Sequence, residues 1–257
     1  MLMRIALIET SLHWGDVNKN LNHYEELLKS VESGCRMVFL PEMFSTGFTM
    51  EPEKLEPGAI EKVPQWMSDM SVRYNIALGG STVAAGKEGF FNRFYFCLPN
   101  GEMFYYDKRH LFRMGEEDQH YQPGKERKIF YFEGWRILPQ VCYDLRFPVW
   151  SRNRGDYDLM VNVANWPSAR QDVWSALLKA RAIENQCYVA GVNRTGSDPN
   201  VNYAGGSVVF SPKGEILSSS SKKNSQIIYA NLDLDALNHF RQKFPVWKDA
   251  DEFEVKL

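Results

Sequence analysis

Leu138-Pro139-Gln140-Val141-Cys142-Tyr143-Asp144 is an apolar run that stops at a polar turn. Beyond it, Phe147-Pro148-Val149-Trp150-Ser151-Arg152-Asn153 reads as a short helix with Pro148 in its first turn. A strand–turn–helix carries the side chain at its turn to the mouth of a sheet, beside the positive end of a helix dipole. That setting exposes a thiol and favours its ionised form. Two further residues share it. Glu42 closes the apolar run Met37-Val38-Phe39-Leu40, and Lys108 follows Phe104-Tyr105-Tyr106-Asp107. Gathered on one rim, the three supply a nucleophile, a proton carrier and an oxyanion donor. Singly, each has a plainer reading: a buried thiol, a solvated strand-end carboxylate and a surface cation.

Working outward, the period of the apolar residues predicts strands over 3–8, 37–40, 76–80, 90–98, 103–106, 135–141, 159–163, 188–192, 207–210 and 227–232. Helices are predicted over 20–33, 63–74, 171–185 and 234–244. The first carries Leu21, Tyr24, Leu27, Leu28 and Val31 on one face, with Gly34 as its stop. Pro99-Asn100-Gly101 and Pro212-Lys213-Gly214 are hairpin signals, and 218–223 reads as a polar surface loop. Alternating strands and helices predict an α/β layered fold with helices covering sheet. The hairpins argue against a purely parallel sheet. No linker divides the chain and no repeat is visible, so residues 1–257 are expected to form one domain.

Composition narrows the function classes. The chain has 257 residues, 44% of them hydrophobic and 14% aromatic, enough for a sizeable core. Its net charge is −2, from 30 basic and 32 acidic residues without a basic stripe, so no nucleic-acid partner is expected. No apolar run approaches the roughly 18 residues that span a bilayer, and Glu9 interrupts the first apolar run too early for a signal peptide. Four scattered cysteines with no Cys-x-x-Cys suggest a reducing cytoplasm. The five histidines lack metal-ligand spacing, and neither nucleotide-phosphate glycine motifs nor a Gly-x-Ser-x-Gly elbow is present. Neither a metal nor a cofactor is therefore expected.

Three segments carry a family resemblance: Pro41-Glu42-Met43-Phe44, Tyr106-Asp107-Lys108-Arg109-His110-Leu111, and Val141-Cys142-Tyr143-Asp144-Leu145-Arg146-Phe147-Pro148. In order and local context they resemble the signature segments of the nitrilase superfamily of carbon–nitrogen hydrolases. The similarity extends through Val163-Ala164-Asn165-Trp166-Pro167, Arg181-Ala182-Ile183-Glu184-Asn185-Gln186 and Phe244-Pro245-Val246-Trp247. Within the superfamily the chain looks most like the bacterial omega-amidases.

The resemblance implies a four-layer α-β-β-α sandwich, a homodimer joined through its helical face, and a cofactor-free amidase acting through a cysteine thioester. The substrates it implies are the omega-amides of 2-oxoglutaramate and 2-oxosuccinamate. Cys142 is the implied nucleophile, its pKa expected to be lowered by Lys108 and the nearby helix. Lys108 and the Tyr143 backbone N–H are the implied oxyanion donors, and Glu42 the proton carrier. Glu117, with Glu116 as its neighbouring alternative, matches a second glutamate of the family. A substrate carboxylate calls for a cation, which nominates Arg113 and Arg146, and Phe44, Phe112 and Trp166 are candidate pocket walls. Structural ion pairs and core packing are the competing readings for these five. Another small amide, a nitrile or an N-carbamoyl compound is the alternative substrate, and a non-catalytic binding protein of the same fold is the remaining alternative.

Overall fold

The computed structural model describes residues 1–220 and 226–256, and its central strands β2, β8, β9 and β12 are buried along their whole length. In chain order the elements are β1 (Leu2–Ile8), α1 (Val17–Lys29), β2 (Met37–Phe39), α2 (Lys62–Tyr74), β3 (Ala77–Gly86), β4 (Gly89–Cys97) and β5 (Met103–Asp107). There follow α3 (Glu117–His120), β6 (Phe130–Phe132), β7 (Trp135–Val141), α4 (Pro148–Ser151), β8 (Leu159–Ala164), α5 (Gln171–Asn185) and β9 (Tyr188–Asn193). The chain ends with β10 (Thr195–Ser197), β11 (Asn202–Ala204), β12 (Val208–Phe210), β13 (Ile216–Ser219), β14 (Ile227–Asp233) and α6 (Leu234–Lys243).

Two six-stranded sheets result, ordered β14-β1-β2-β3-β4-β5 and β13-β12-β9-β8-β7-β6, with a separate β10-β11 ribbon. Each sheet has a parallel centre and antiparallel flanks. β1 and β3 both run parallel to β2, and β7 and β9 both run parallel to β8. β14, β4 and β5 pair antiparallel in the first sheet, as do β6, β12 and β13 in the second.

Because strand side chains alternate, each sheet offers two apolar faces. Ile5, Leu7, Phe39, Phe94 and Phe96 of the first sheet meet Ile137, Val141, Val161, Val163 and Val192 of the second in one central core. The intervening residues face outward. Ala6, Ile8, Val38, Leu40 and Leu78 pack under Leu21, Tyr24, Leu28, Val63 and Met67 of α1 and α2. Leu138, Met160 and Val189 pack under Trp174, Leu178 and Ala182 of α5. The order of layers is therefore helix, sheet, sheet, helix.

Several boundaries depart from expectation. α1 begins at Val17 because the Asp16 carboxylate accepts from Lys19 N at 3.0 Å, and it ends at Ser30, whose N–H bonds back to Leu27 and Leu28. β3 continues six residues past Gly80 and turns back into β4, a hairpin whose Ser81–Gly86 half is too small and polar to show as a strand in sequence. β6, β10, β11 and β13, each of three or four residues, were not anticipated as strands. Ser218 and Ser219 of the predicted polar loop belong to β13, whereas residues 221–223 of that loop lie outside the described residues.

Gly191 shows how closely α5 lies on its sheet. A Cβ there would stand 2.3 Å from Leu178 Cδ1 and 2.8 Å from Trp174. Gly191→Ala should destabilise the protein by about 1–3 kcal/mol through overpacking. In urea melts this should appear as a lower midpoint at unchanged slope, and an unaltered midpoint would contradict the packing described.

Candidate active site

The C-terminal ends of β2, β5 and β7 open on the same end of the sandwich. Glu42 stands three residues beyond β2, Lys108 directly after β5, and Cys142 directly after β7. Lys108 Nζ donates to Glu42 Oε1 at 2.8 Å and to Glu117 Oε2 and Oε1 at 2.8 and 3.0 Å. All three side chains are fully buried. The Cys142 thiol stands within the electrostatic reach of Glu42, Lys108 and Glu117. The four residues nominated as nucleophile, proton carrier, cation and second glutamate are thus brought into one cluster, and Glu117, not Glu116, is the glutamate turned inward. Glu116 caps α3 in a left-handed conformation and faces solvent.

Two asparagines that sequence reasoning missed complete the cluster. Asn92 Nδ2, from β4, donates to Glu42 Oε1 at 2.8 Å and Glu117 Oε1 at 3.0 Å. Asn165 donates its backbone N–H to Glu42 Oε2 at 2.8 Å, and its Nδ2 to the Glu42 carbonyl at 2.7 Å. Phe112 N donates to Glu117 Oε2 at 2.7 Å. The carboxylates are therefore held by several fixed donors, as buried charges require. Asn92 had one sequence signal, a lone amide inside an aromatic strand, and Asn165 stood in the segment that resembled the family.

The electrostatics follow from two negative charges sharing one positive charge away from water. Burial opposes the Lys108 ammonium, but Glu117 and Glu42 outweigh it and hold its pKa above the ordinary lysine value. Burial raises the Glu117 carboxyl, with Lys108 opposing the rise and Glu42 adding to it. The Cys142 thiol is pushed well above its usual range, first by burial and then by the Glu42 charge, and Lys108 offsets this only in part. This corrects the expectation of a lowered thiol pKa. The cluster already carries an excess negative charge, and α4 is a single turn of four residues, too short to outweigh it.

Cys142 is half-buried and lines a cavity of about 1000 Å³. Around it stand Phe48, Phe112, Tyr143, Arg146, Trp166, Arg170 and Tyr203. Of the nominated substrate contacts, Arg146, Phe112 and Trp166 line this space and two do not. Arg113 is 87% exposed and faces Asp118 at 3.6 Å, because the 3-10 turn Arg113–Gly115 points it to solvent. Phe44 is sealed in the outer core, edge-on to Tyr24 and against Trp66. Arg170 was not anticipated. Its guanidinium lies 5.4 Å from the Phe112 ring centre, as that of Arg146 lies 5.4 Å from Trp166. Neither arginine has a carboxylate partner among the described residues. Tyr143 is the second residue of the 3-10 turn Cys142–Arg146, so its N–H has no acceptor within that turn.

The family model described as Carbon-nitrogen hydrolase matches residues 4–242. The chain is 47% identical over 254 residues to the omega-amidase YafV of Escherichia coli, covering 98% of each. It is 29% identical to the 2-oxoglutaramate amidase of Bacillus subtilis, covering 97% of this chain and 98% of that one. The crystal structure of XC1258 from Xanthomonas campestris is that of a CN-hydrolase superfamily protein with an arsenic adduct in its active site. It matches with a TM-score of 0.92 at 40% identity, covering 100% of both chains. The protein belongs to the carbon–nitrogen hydrolase family and is an amide-hydrolysing enzyme. Among the described residues no helix is long and apolar enough to cross a membrane.

A thiol held above its usual pKa should be alkylated slowly at neutral pH. Labelling of Cys142 by iodoacetamide, followed by peptide mass, should climb with pH through and beyond pH 9 with no plateau near pH 7. A plateau at neutral pH would show a preformed thiolate and contradict the electrostatics above.

Proposed function

We propose that this protein is an omega-amidase. In this reading it hydrolyses the terminal amide of small 2-oxo dicarboxylic acid monoamides, 2-oxoglutaramate and 2-oxosuccinamate, to the acid and ammonia. The observation that carries the reading is a thiol against Glu42 and the Glu42–Lys108–Glu117 cluster, at the floor of a cavity that also holds two arginines without carboxylate partners. The likeness to omega-amidases over almost the entire chain supports it.

Cys142 Sγ attacks the amide carbon while Glu42 takes the thiol proton, so the thiolate forms only as the carbon–sulfur bond does. A thiol held above its usual range suits this coupling. The carbonyl oxygen gains the negative charge and is met by the Lys108 ammonium and the Tyr143 N–H. Collapse breaks the carbon–nitrogen bond, Glu42 returns its proton to the departing nitrogen, and ammonia leaves a thioester. A water molecule then attacks the thioester carbon and gives its proton to Glu42, which passes it to the departing sulfur. Glu117 holds Lys108 in place throughout. The substrate carboxylate is taken by Arg146, with Arg170 beside it on the cavity wall.

In the same reading the chain is one cofactor-free hydrolase domain over residues 1–257. It works in a reducing cytoplasm, a setting that suits four free cysteines, and as a homodimer packed through its helical face.

Steady-state ammonia release tests the proposal. 2-Oxoglutaramate should be turned over far faster than glutamine or simple monocarboxylic amides, and Cys142→Ala should release none. Arg146→Ala should raise KM for 2-oxoglutaramate by about 10–100-fold, the loss of a charge-assisted bond, and leave a neutral amide of equal length nearly unaffected. Equal rates on anionic and neutral amides in the wild type would overturn the substrate assignment. Full activity in Cys142→Ala would overturn the mechanism.

A further inference from the structure

Asp144 is fully buried two residues beyond Cys142, and its carboxylate meets four donors. Oδ2 accepts from Val141 N at 3.0 Å and from Tyr106 OH at 2.9 Å. Oδ1 accepts from His110 N at 2.9 Å and lies 2.7 Å from His110 Nδ1. The donors bracket both reacting groups. Tyr106 and His110 flank Lys108 by two residues on either side, and Val141 directly precedes Cys142. One side chain therefore ties the end of β5, in the first sheet, to the end of β7, in the second.

The surrounding shell leaves this carboxylate little freedom. Tyr106 OH accepts from Trp150 Nε1 at 3.1 Å and from Arg109 N at 3.2 Å. The His110 ring stacks on Phe147 with centroids 3.8 Å apart and planes 7° from parallel. Cys142 itself sits at φ 46°, a left-handed backbone that costs a non-glycine residue about 1–3 kcal/mol and persists only where its surroundings over-determine it. The bond from Val141 N to Asp144 closes the turn on which that conformation depends.

We propose that Asp144 is a positioning residue, whose carboxylate clamps the lysine-bearing and cysteine-bearing strand ends together and so sets where Cys142 Sγ stands relative to Lys108 Nζ. It touches neither substrate nor reacting atom. An asparagine in its place has one accepting oxygen and one donating nitrogen, so two of the four donors would face an N–H. Misplacement of a reacting group by about 1 Å costs roughly 10²-fold in rate, and the loss falls mainly on kcat because Asp144 itself does not line the cavity. The inference rests on the amidase reading of Cys142 and Lys108.

The test measures kcat per labelled thiol, KM, melting temperature, and the rate of Cys142 labelling by iodoacetamide in Asp144→Asn, Tyr106→Phe and His110→Ala. The labelling rate needs no substrate. Asp144→Asn should lower kcat per labelled thiol by about 10²-fold with KM little changed, and should alter the labelling rate. Tyr106→Phe and His110→Ala each remove one donor and should lower kcat by about three- to tenfold, and they carry the test if Asp144→Asn does not fold. A lower melting temperature with wild-type kcat per labelled thiol and a wild-type labelling rate would reduce Asp144 to a structural brace and overturn the proposal. Wild-type protein that labels at Cys142 yet hydrolyses no amide would instead remove the functional reading, leaving the labelling rates of the variants to decide on the clamp.

Discussion

A lysine ammonium sealed from water has to be matched by negative charge, and here Glu42 and Glu117 both approach Lys108 Nζ at 2.8 Å with all three side chains buried. Breaking such a cluster by removing one member leaves an uncompensated buried charge, typically at a cost of about 3–5 kcal/mol. The two asparagines and the backbone N–H groups of Asn165 and Phe112 satisfy the remaining lone pairs. This fixed charge array holds the Cys142 thiol and the Lys108 ammonium above their ordinary pKa values. In the proposed mechanism it ties proton transfer to Glu42 and attack by the sulfur to one event.

The sandwich exists, from the standpoint of this cluster, to bring residues from two sheets within reach of one another. Asn92 lies in the first sheet and Glu42 and Lys108 follow strands of it, while Cys142 and Asn165 follow strands of the second. The central core of large apolar side chains fixes the distance between the sheets, since close-packed interiors resist displacement. α1 and α2 on one outer face and α5 on the other hold each sheet to its own twist and register. Precision at the site is therefore a property of the whole stack, with polar contacts such as those of Asp144 setting the final alignment.

Much of this was legible in sequence, for identifiable reasons. Glu42, Lys108 and Cys142 each follow a short apolar run, and a polar residue at that point marks the end of a strand. The layered α/β class followed from alternating helix and strand periods. Which strands share a sheet was not legible from those periods, because a period of two says which residues share a face but not which neighbour covers it. Arg113 and Phe44 failed as pocket residues because nearness in sequence to Lys108 and Glu42 does not fix direction, and a turn or one step along the chain reverses it. Arg170 gave no signal, since an arginine before a helix is ordinary until the cavity wall beside it is known. Asp144 looked like part of the nucleophile turn, and its four donors come together only through the fold.

The most direct test of the account is the mass of the enzyme caught during turnover. Wild-type protein mixed with 2-oxoglutaramate and quenched in acid should carry one acyl group, equal to the substrate less ammonia, on the peptide containing Cys142. Glu42→Gln should accumulate far less of it. Sustained ammonia release with no adduct on that peptide, or with an adduct on a different residue, would contradict the account.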